Sequence, residues 1–283
     1  MPFDDFVFQF TDVSLTHLIN TSLFSFSKTW KESRLISKWS RAAGRAGGCL
    51  NHPTTFLQNP QLRFDISKNE EVILQLSQMD DRAMILASER SKLVIGFHVL
   101  EVESNREYRL HSMIHQSDSS SGASDYIKSS HVFMRKSLRA GRYLVLPSTF
   151  LPGQEGRFLL RLFSESSSGL TSLESDQPKP PCGLLCCGSL PIMVTRLTVI
   201  SAQGLVKLAN PYVVVKCEGS KFRSQAVKSS LNPEWKFSVV LYRYKTAKGI
   251  KIQIWNQNLV VDQFMGQRVI TDTDNPFSED VSR

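Results

Sequence analysis

Residues 47–61 form the turn-rich stretch GGCLNHPTTFLQNPQ, after which the pattern of the sequence changes. Its two glycines permit backbone angles that other residues avoid, and its two prolines fix φ and remove N–H donors. Directly after it, Leu62–Ile66 alternates apolar and polar side chains, which is typical of a half-buried strand. The residues before the stretch are helix-like or irregular, whereas the residues after it predict strands. The stretch therefore marks the beginning of a β-domain.

Short apolar-polar runs continue from this point to about residue 165. Turn residues separate the runs, for example Ala140-Gly141 and the segment Leu151–Gly156. Seven or eight short strands with regular turns predict an antiparallel β-sandwich. The candidate strands are Leu62–Ile66, Glu71–Gln78, Leu93–Val102, Tyr108–His115, His131–Met134, Gly141–Pro147 and Gly156–Phe163. The serine-rich segment Asp118–Gly122 is expected to be a flexible loop.

A linker and a second β-domain follow the sandwich. Serines and then prolines dominate the linker, a change from a flexible to a stiff composition. Strand patterns resume at Ile192–Ile200 and continue through Pro211–Lys216 and Ile252–Asn256.

Several motifs resemble those of one protein family. Gly-Gly-Cys at 47–49, Thr-Phe at 55–56 and Asn-Pro-Gln at 59–61, with Trp39 upstream, resemble the junction in calpains where the papain-like protease core ends and the domain III sandwich begins. Pro-Tyr at 211–212, Asn-Pro-Glu-Trp at 232–235, Trp255 and Phe-Met-Gly at 264–266 resemble a C2 domain. Their order resembles the C-terminal portion of the atypical calpains that end in C2, the calpain five and six type.

The resemblance implies an all-β chain with two β-sandwich domains and a short N-terminal helical or irregular remnant. Residues 1–46 would be the remnant of a papain-like protease core and residues 47–165 a domain III-like sandwich. Residues 166–190 would be a Ser/Pro/Cys linker and residues 191–270 an incomplete C2-like domain. Residues 271–283 would be an acidic tail without a strand pattern.

Composition narrows the possible compartment and partners. The net charge is +8 and the sequence pI is about 9.3, which favours anionic partners. The five cysteines show no disulfide-framework spacing, which fits a reducing compartment. The N-terminus has no signal-peptide pattern, and no apolar run approaches the roughly 20 residues that span a bilayer. We therefore expect a cytoplasmic chain that is peripheral at membranes.

No catalytic residue is assigned. A papain-type protease needs a thiolate, a histidine base and an orienting group. Cys49 and His52 lie in the junction motif, which is structural in the family, so the resemblance implies that the family's catalytic residues lie outside this chain. Cys182, Cys186 and Cys187 lack a nearby histidine, so no metal site is predicted.

The C2 resemblance points to positions that would bind calcium. Calcium binding by C2 domains depends on aspartates from two apical loops, because this hard cation prefers carboxylate oxygens. Here the corresponding positions carry Asn210, Asn256, Asn258 and Asp262. Amides bring no charge, so we expect no resident cofactor and at most weak calcium binding.

Basic residues are concentrated in the second domain. Nine of them lie between Asn210 and Lys251, against Glu218 and Glu234 alone. We predict that this region binds an anionic phospholipid or an acidic protein surface, and the alternative is a solvated surface without a ligand. The predicted binding residues are Lys216, Lys221, Arg223, Lys228, Lys236, Arg243 and Lys245. No motif that reads bases is present, so a nucleic acid partner is not expected.

Two functions are consistent with these features. The first is the regulatory and targeting portion of a calpain-type cysteine endopeptidase, which carries out limited intracellular proteolysis in the family. This chain would itself be inactive, and a protease core would be a possible partner. The alternative is a non-proteolytic scaffold that binds the cytoskeleton, for which the acidic tails of microtubules would suit the positive charge.

Overall fold

A computed structural model describes residues 2–9, 19–22, 28–79, 92–111, 120–180, 182–183, 186–187, 189–205, 209–244 and 249–271. Within these residues the chain is all-β apart from the short helix α1 (Phe3–Gln9) and a 3₁₀ turn at Phe56–Gln58. The predicted all-β fold is therefore confirmed. The predicted acidic tail lies outside the described residues, except for residue 271.

Two packed antiparallel sheets form the first domain. One sheet has the strand order β1-β9-β3-β7, and the other has the order β10-β2-β8-β4-β5, with β6 also paired to β4. The strands are β1 (Lys31–Trp39), β2 (Leu62–Ile66), β3 (Glu70–Met79), β4 (Val94–Val102), β5 (Ser120–Ala123), β6 (Ile127–Lys128), β7 (His131–Leu138), β8 (Gly141–Thr149), β9 (Gly156–Ser164) and β10 (Thr171–Ser172). Inward side chains of both sheets form one buried cluster that includes Leu74, Phe97 and Leu160.

The described part of the second domain contains six strands. They are β13 (Met193–Ser201), β14 (Pro211–Cys217), β15 (Ser220–Arg223), β16 (Glu234–Arg243), β17 (Ile250–Asn256) and β18 (Gln263–Ile270). One sheet pairs β13 with β16, and the other has the order β15-β14-β17-β18. Val213, Val215 and Val239 lie at the centre of the core between them. A small ribbon of β11 (Cys182–Gly183) and β12 (Cys186–Cys187) precedes this domain.

The stretch at residues 47–61 is a turn that the Asn59 side chain closes with hydrogen bonds. The buried side chain of Asn59 accepts a hydrogen bond from the Gly47 amide at 3.0 Å and donates to the carbonyls of Gly48 and Phe56 at 2.7 and 2.8 Å. Gly48 has φ +77°, and a Cβ on Gly47 would lie 1.9 Å from the Thr55 carbonyl oxygen. Both positions therefore require glycine.

The sandwich begins earlier than the sequence predicted. The prediction placed residues 1–46 in a protease-core remnant, but β1 pairs with β9 along its whole length. Trp39 is buried against Phe158, and its indole N–H donates to the Pro147 carbonyl at 3.0 Å. This strand was missed because Ser33 and Ser37 occupy inward positions, which hides the apolar alternation.

Three further expectations differ from the structure. The predicted strand Tyr108–His115 begins instead as a loop at Tyr108–Leu110, because the buried Arg109 guanidinium donates to the carbonyls of three residues, 57–59. Residues 112–115 of that prediction lie outside the described residues. Ser120–Ala123 pairs with β4, so the end of the predicted serine loop is a strand. Part of the predicted linker belongs to the sandwich, since β10 pairs with β2 and the adjacent Leu173 is buried.

Candidate functional site

The candidate site is the outer face of the four-stranded sheet in the second domain. Alternation along β14 directs Val213, Val215 and Cys217 into the core, so Val214 and Lys216 point outward. The strands of this sheet contain no Asp or Glu, which leaves the face positively charged.

Three lysines form a single row across this face. Lys216 lies directly opposite Lys221 on β15 and directly opposite Lys251 on β17. Residues directly opposite one another project to the same face with Cβ atoms about 5 Å apart, and like charges in that position are destabilising. We call Lys221, Lys216 and Lys251 the lysine row. An anion bound at the lysine row would relieve this repulsion.

Aromatic side chains occupy the other end of the same face. The Arg223 guanidinium lies 3.7 Å from the ring centroid of Tyr212, and Trp255 packs edge-on against Phe264. Asp262 accepts a hydrogen bond from the Tyr212 hydroxyl at 2.7 Å and lies 3.8 Å from Arg223. The charge of Arg223 is therefore partly balanced, whereas the lysine row is not balanced by its own sheet.

The remaining predicted binding residues lie elsewhere. Lys228 lies beside the loops at the opposite end of the sheet from the lysine row. Lys236 is on the other sheet and forms an ion pair with Glu234 at 3.0 Å, and Arg243 is buried. Lys245 lies outside the described residues. The structure thus brings together Lys216, Lys221 and Arg223 of the predicted set.

The four calcium-loop positions do come together, but they bind one another. The Oδ1 atoms of Asn210 and Asn256 accept from the amides of Ser229 and Asn210, at 2.9 and 2.8 Å. The Oδ1 atom of Asn258 accepts from Asn256 Nδ2 at 2.9 Å, and the Asn258 amide donates to Asp262 Oδ1 at 3.1 Å. Every side-chain oxygen of these four residues therefore already accepts a hydrogen bond.

Only Asp262 brings negative charge to these loops. Hydrogen bonds from the Tyr212 hydroxyl and the Asn258 amide hold the pKa of Asp262 below its ordinary value. Calcium prefers six to eight oxygen ligands, several of them carboxylates. The donor set in these loops does not fit that requirement. Among the described residues, no group of three or more His, Cys, Asp or Glu could hold a metal ion.

An apolar tip projects from the loop between β17 and β18. The exposed fractions of Leu259, Val260 and Val261 are 106%, 92% and 72%. Three consecutive apolar residues in solvent are unusual and indicate a surface that contacts something apolar. This run was not predicted, although the sequence shows three consecutive apolar residues between Asn258 and Asp262.

Lys251 was also missing from the predicted binding set, although alternation with Ile250 and Ile252 places it on the outer face.

The described cysteine and histidine side chains form no catalytic pair. Cys49 is 2% exposed, and its contact with His52 is a backbone hydrogen bond that closes the turn. Cys217 is buried in the core of the second domain. The side chains of Cys182, Cys186 and Cys187 lie outside the described structure. No helix in the described part of the chain is long and apolar enough to cross a bilayer.

Comparisons with known proteins agree with the two-domain architecture. Residues 35–163 match the family model of the calpain large subunit, domain III, and residues 193–281 match the C2 domain model. Calpain-5 of Mus musculus is 41% identical over 275 residues, which cover 94% of this chain and 42% of that protein. Calpain-5 of Caenorhabditis elegans is 36% identical over 285 residues, 95% of this chain and 42% of that protein.

The solved structure of a C2 domain from a plant Extended Synaptotagmin 1 matches 29% of this chain and 70% of its own, with 21% identity and a TM-score of 0.28. So low a score supports no conclusion about binding. The fold is that of a protein with a β-sandwich followed by a C2 domain. The chain belongs to the calpain family and corresponds to its domain III and C2 portion. It spans less than half the length of these two relatives.

Proposed function

We propose that this chain is the targeting portion of a calpain and that it docks on anionic membranes through its C2 domain. The lysine row carries the proposal: three cations share one sheet face whose strands lack acidic residues. Each Lys or Arg near an anionic leaflet contributes about 1 kcal/mol, so the row would contribute about 3 kcal/mol. That energy corresponds to a factor of about 100 in affinity.

The exposed tip favours a bilayer over an acidic protein tail. Leu259, Val260 and Val261 offer apolar surface that the tail of an acidic protein would leave in water. The tip and the lysine row lie at opposite ends of the sheet, so both would contact a bilayer when the sheet face lies along the membrane surface.

This docking requires no calcium in our proposal. The hydrogen bonds among Asn210, Asn256, Asn258 and Asp262 order the loops in place of an ion. The anion-binding surface would therefore be formed without a bound cation.

We also propose that the chain hydrolyses no peptide bonds by itself. A thiolate nucleophile must be accessible to substrate, and the Cys49 thiol is buried in the junction. Incubation with casein tests this part of the proposal. Casein hydrolysis that disappears in the Cys49→Ala variant would contradict it.

Vesicle sedimentation at low salt tests the docking. Wild-type chain should sediment with phosphatidylcholine vesicles that contain phosphatidylserine, and not with phosphatidylcholine alone. Replacement of Lys216, Lys221 and Lys251 by Gln should abolish sedimentation, whereas Lys236→Gln on the other sheet should not. Val260→Asp should weaken it without any change in the lysine row.

Two results would reject the proposal. The first is failure of the wild-type chain to sediment with the anionic vesicles. The second is pelleting with microtubules but not with vesicles, which would favour the cytoskeletal scaffold instead.

A further inference from the structure

A second cationic surface lies on the sandwich domain, on the outer face of the pair β1·β9. The two strands are in register over nine residue pairs. Leu35 and Phe158 point into the core, and Trp39 is buried beside Phe158. The alternate positions, Arg34, Ile36 and Lys38 on β1 and Arg157, Leu159 and Arg161 on β9, therefore point outward.

The register places like charges directly opposite one another twice. Arg34 faces Arg161, and Lys38 faces Arg157. Directly opposed like charges destabilise a sheet. Arg161 alone of the four forms an ion pair within the described residues, since its Nε donates to Glu32 at 2.8 Å. Arg34, Lys38 and Arg157 are exposed and carry no ion pair in that part of the chain.

An apolar pair separates the two cationic pairs. Ile36 faces Leu159, and the Ile36 side chain is 54% exposed although it lies within a regular sheet. The cationic pairs are four residues apart along β1, which corresponds to about 14 Å at the rise of an antiparallel strand. We call these six residues, Arg34, Ile36, Lys38, Arg157, Leu159 and Arg161, the cationic strip.

We propose that the cationic strip binds an extended acidic segment of a partner protein. An extended chain repeats with the same rise as the strip. Acidic side chains at positions i and i+4 would meet the two cationic pairs, and an apolar side chain at i+2 would cover Ile36. Arginine binds carboxylates well because its planar fork donates two parallel hydrogen bonds.

Acidic neighbours on the same face favour a narrow segment over a membrane. Glu32 lies beyond Arg34 on β1, and Glu71 lies on β3, where it binds Arg135 at 2.7 Å. Because Glu32 pairs with Arg161 and Glu71 pairs with Arg135, the cations of this face that have no ion pair among the described residues lie along the strip and not across the whole sheet. A single extended segment that follows β1 and β9 would contact the strip alone.

Fluorescence anisotropy with the whole 283-residue chain tests this inference. The probe is a labelled peptide with the core Glu-Thr-Leu-Thr-Glu, flanked by Gly-Ser. The comparison peptide has the core Glu-Glu-Thr-Leu-Thr, which has the same composition and charge.

The variant is Arg34→Glu with Lys38→Glu, which should still fold because each new carboxylate faces an arginine on β9. Arg139→Glu, in the exposed turn before β8, is the control for a charge reversal elsewhere.

The spaced peptide should bind more tightly than the comparison peptide. The double reversal should weaken its binding about tenfold or more, and Arg139→Glu should leave it nearly unchanged. Equal affinity of the two peptides, or an unchanged affinity in the double reversal, would overturn the inference. Loss of sedimentation with phosphatidylserine vesicles in the double reversal, without any peptide binding, would assign the strip to membranes and also overturn it. The lysine row of the C2 domain is unchanged in both variants, so it contributes equally to each of these comparisons.

Discussion

Asn105 and Val240 exchange two hydrogen bonds across the boundary between the two domains. Asn105 Nδ2 donates to the Val240 carbonyl at 2.7 Å, and the Val240 amide donates to Asn105 Oδ1 at 2.9 Å. Asn105 lies in the loop after β4 of the sandwich, and Val240 lies in β16 of the C2 domain. The Asn105 side-chain amide therefore forms the pair of hydrogen bonds with the Val240 backbone that a neighbouring strand would form.

Other residues of the same loop strengthen this boundary. The Glu103 carboxylate is 2% exposed and binds Arg106 of its own loop and Arg196 of β13, the latter at 3.1 Å. Tyr108 packs edge-on against Tyr242, with 5.0 Å between ring centroids. Removal of one partner of a buried ion pair leaves the other charge uncompensated and destabilises the folded state.

Asn105→Ala should loosen the boundary. Val240 is buried, so the variant leaves an unsatisfied amide and carbonyl, and we expect a loss of about 1–3 kcal/mol in unfolding free energy. Hydrogen exchange at the Val240 amide should accelerate in the same variant. Asn105→Asp keeps the acceptor and should protect that amide better than Ala does. Unchanged exchange in Asn105→Ala would show that another contact holds the domains together.

Docking of the two domains should weaken in acid. Burial acts to raise the pKa of Glu103, but the hydrogen bond from Arg106 and the charges of Arg106 and Arg196 outweigh it and lower the pKa. A lowered folded-state pKa gives stability that is present above the ordinary carboxyl range, near pH 4, and is lost as the pH falls through the folded value.

Small-angle X-ray scattering from pH 7 downward measures this effect. We expect the radius of gyration to rise below about pH 4 in the wild-type chain as Glu103 becomes protonated. Glu103→Gln should be loosened already at pH 7 and should show a smaller change with pH. A transition of full size in that variant would assign the acid response to other carboxyls.

The turn at residues 47–61 should lose stability when the Asn59 side chain is removed. Asn59→Ala removes three hydrogen bonds and leaves the Gly47 amide and the Gly48 carbonyl without this partner. We expect a loss of about 3 kcal/mol in urea denaturation. Asn51→Ala changes an exposed residue in the same turn region and should cost less than about 0.5 kcal/mol. Equal effects of the two variants would contradict a structural role for Asn59.

The alternation of apolar and polar residues allowed most strands to be predicted from the sequence. Leu62–Ile66 was predicted with the bounds it has, because every second side chain is buried. Lys31–Trp39 was missed because two of its inward residues are serines and its outward residues are mostly charged. Tyr108–His115 was predicted as a strand because it alternates, but its described residues form a loop, since the buried Arg109 needs carbonyl partners that only a loop can bring to it.

The candidate site was predictable in charge but not in arrangement. Composition shows that the C2 region is basic, yet only strand register reveals that Lys216 lies between Lys221 and Lys251. The same basic stretch of sequence places Lys236 on the other sheet beside Glu234. Register depends on pairing between strands that are distant in the sequence, and the order of residues alone does not contain that information.

Lys216→Gln should change stability and binding in opposite directions. Loss of the central charge relieves two directly opposed repulsions, so unfolding free energy should rise by about 0.2–1 kcal/mol. Sedimentation with phosphatidylserine vesicles should fall in the same variant. Lys236→Gln removes an ion pair on the other sheet and should raise neither quantity. A fall in both stability and binding for Lys216→Gln would indicate that the lysine contributes to packing instead.

Carboxylates in the apical loops should convert the C2 domain to calcium dependence. In the triple variant Asn210→Asp, Asn256→Asp and Asn258→Asp, three new charges join Asp262, and the amide donors to Gln257, Asn258 and Val261 are lost. Without calcium, the four carboxylates repel and the variant should melt below wild type. Calcium at 100 times its Kd should restore about 2.7 kcal/mol of unfolding free energy.

Thermal denaturation with calcium and with a chelator measures both effects. The wild-type melting temperature should be the same in the two conditions, because its loops are already closed by amide hydrogen bonds. A calcium-dependent rise in the wild-type chain would show that Asp262 and the asparagines together suffice to bind the ion.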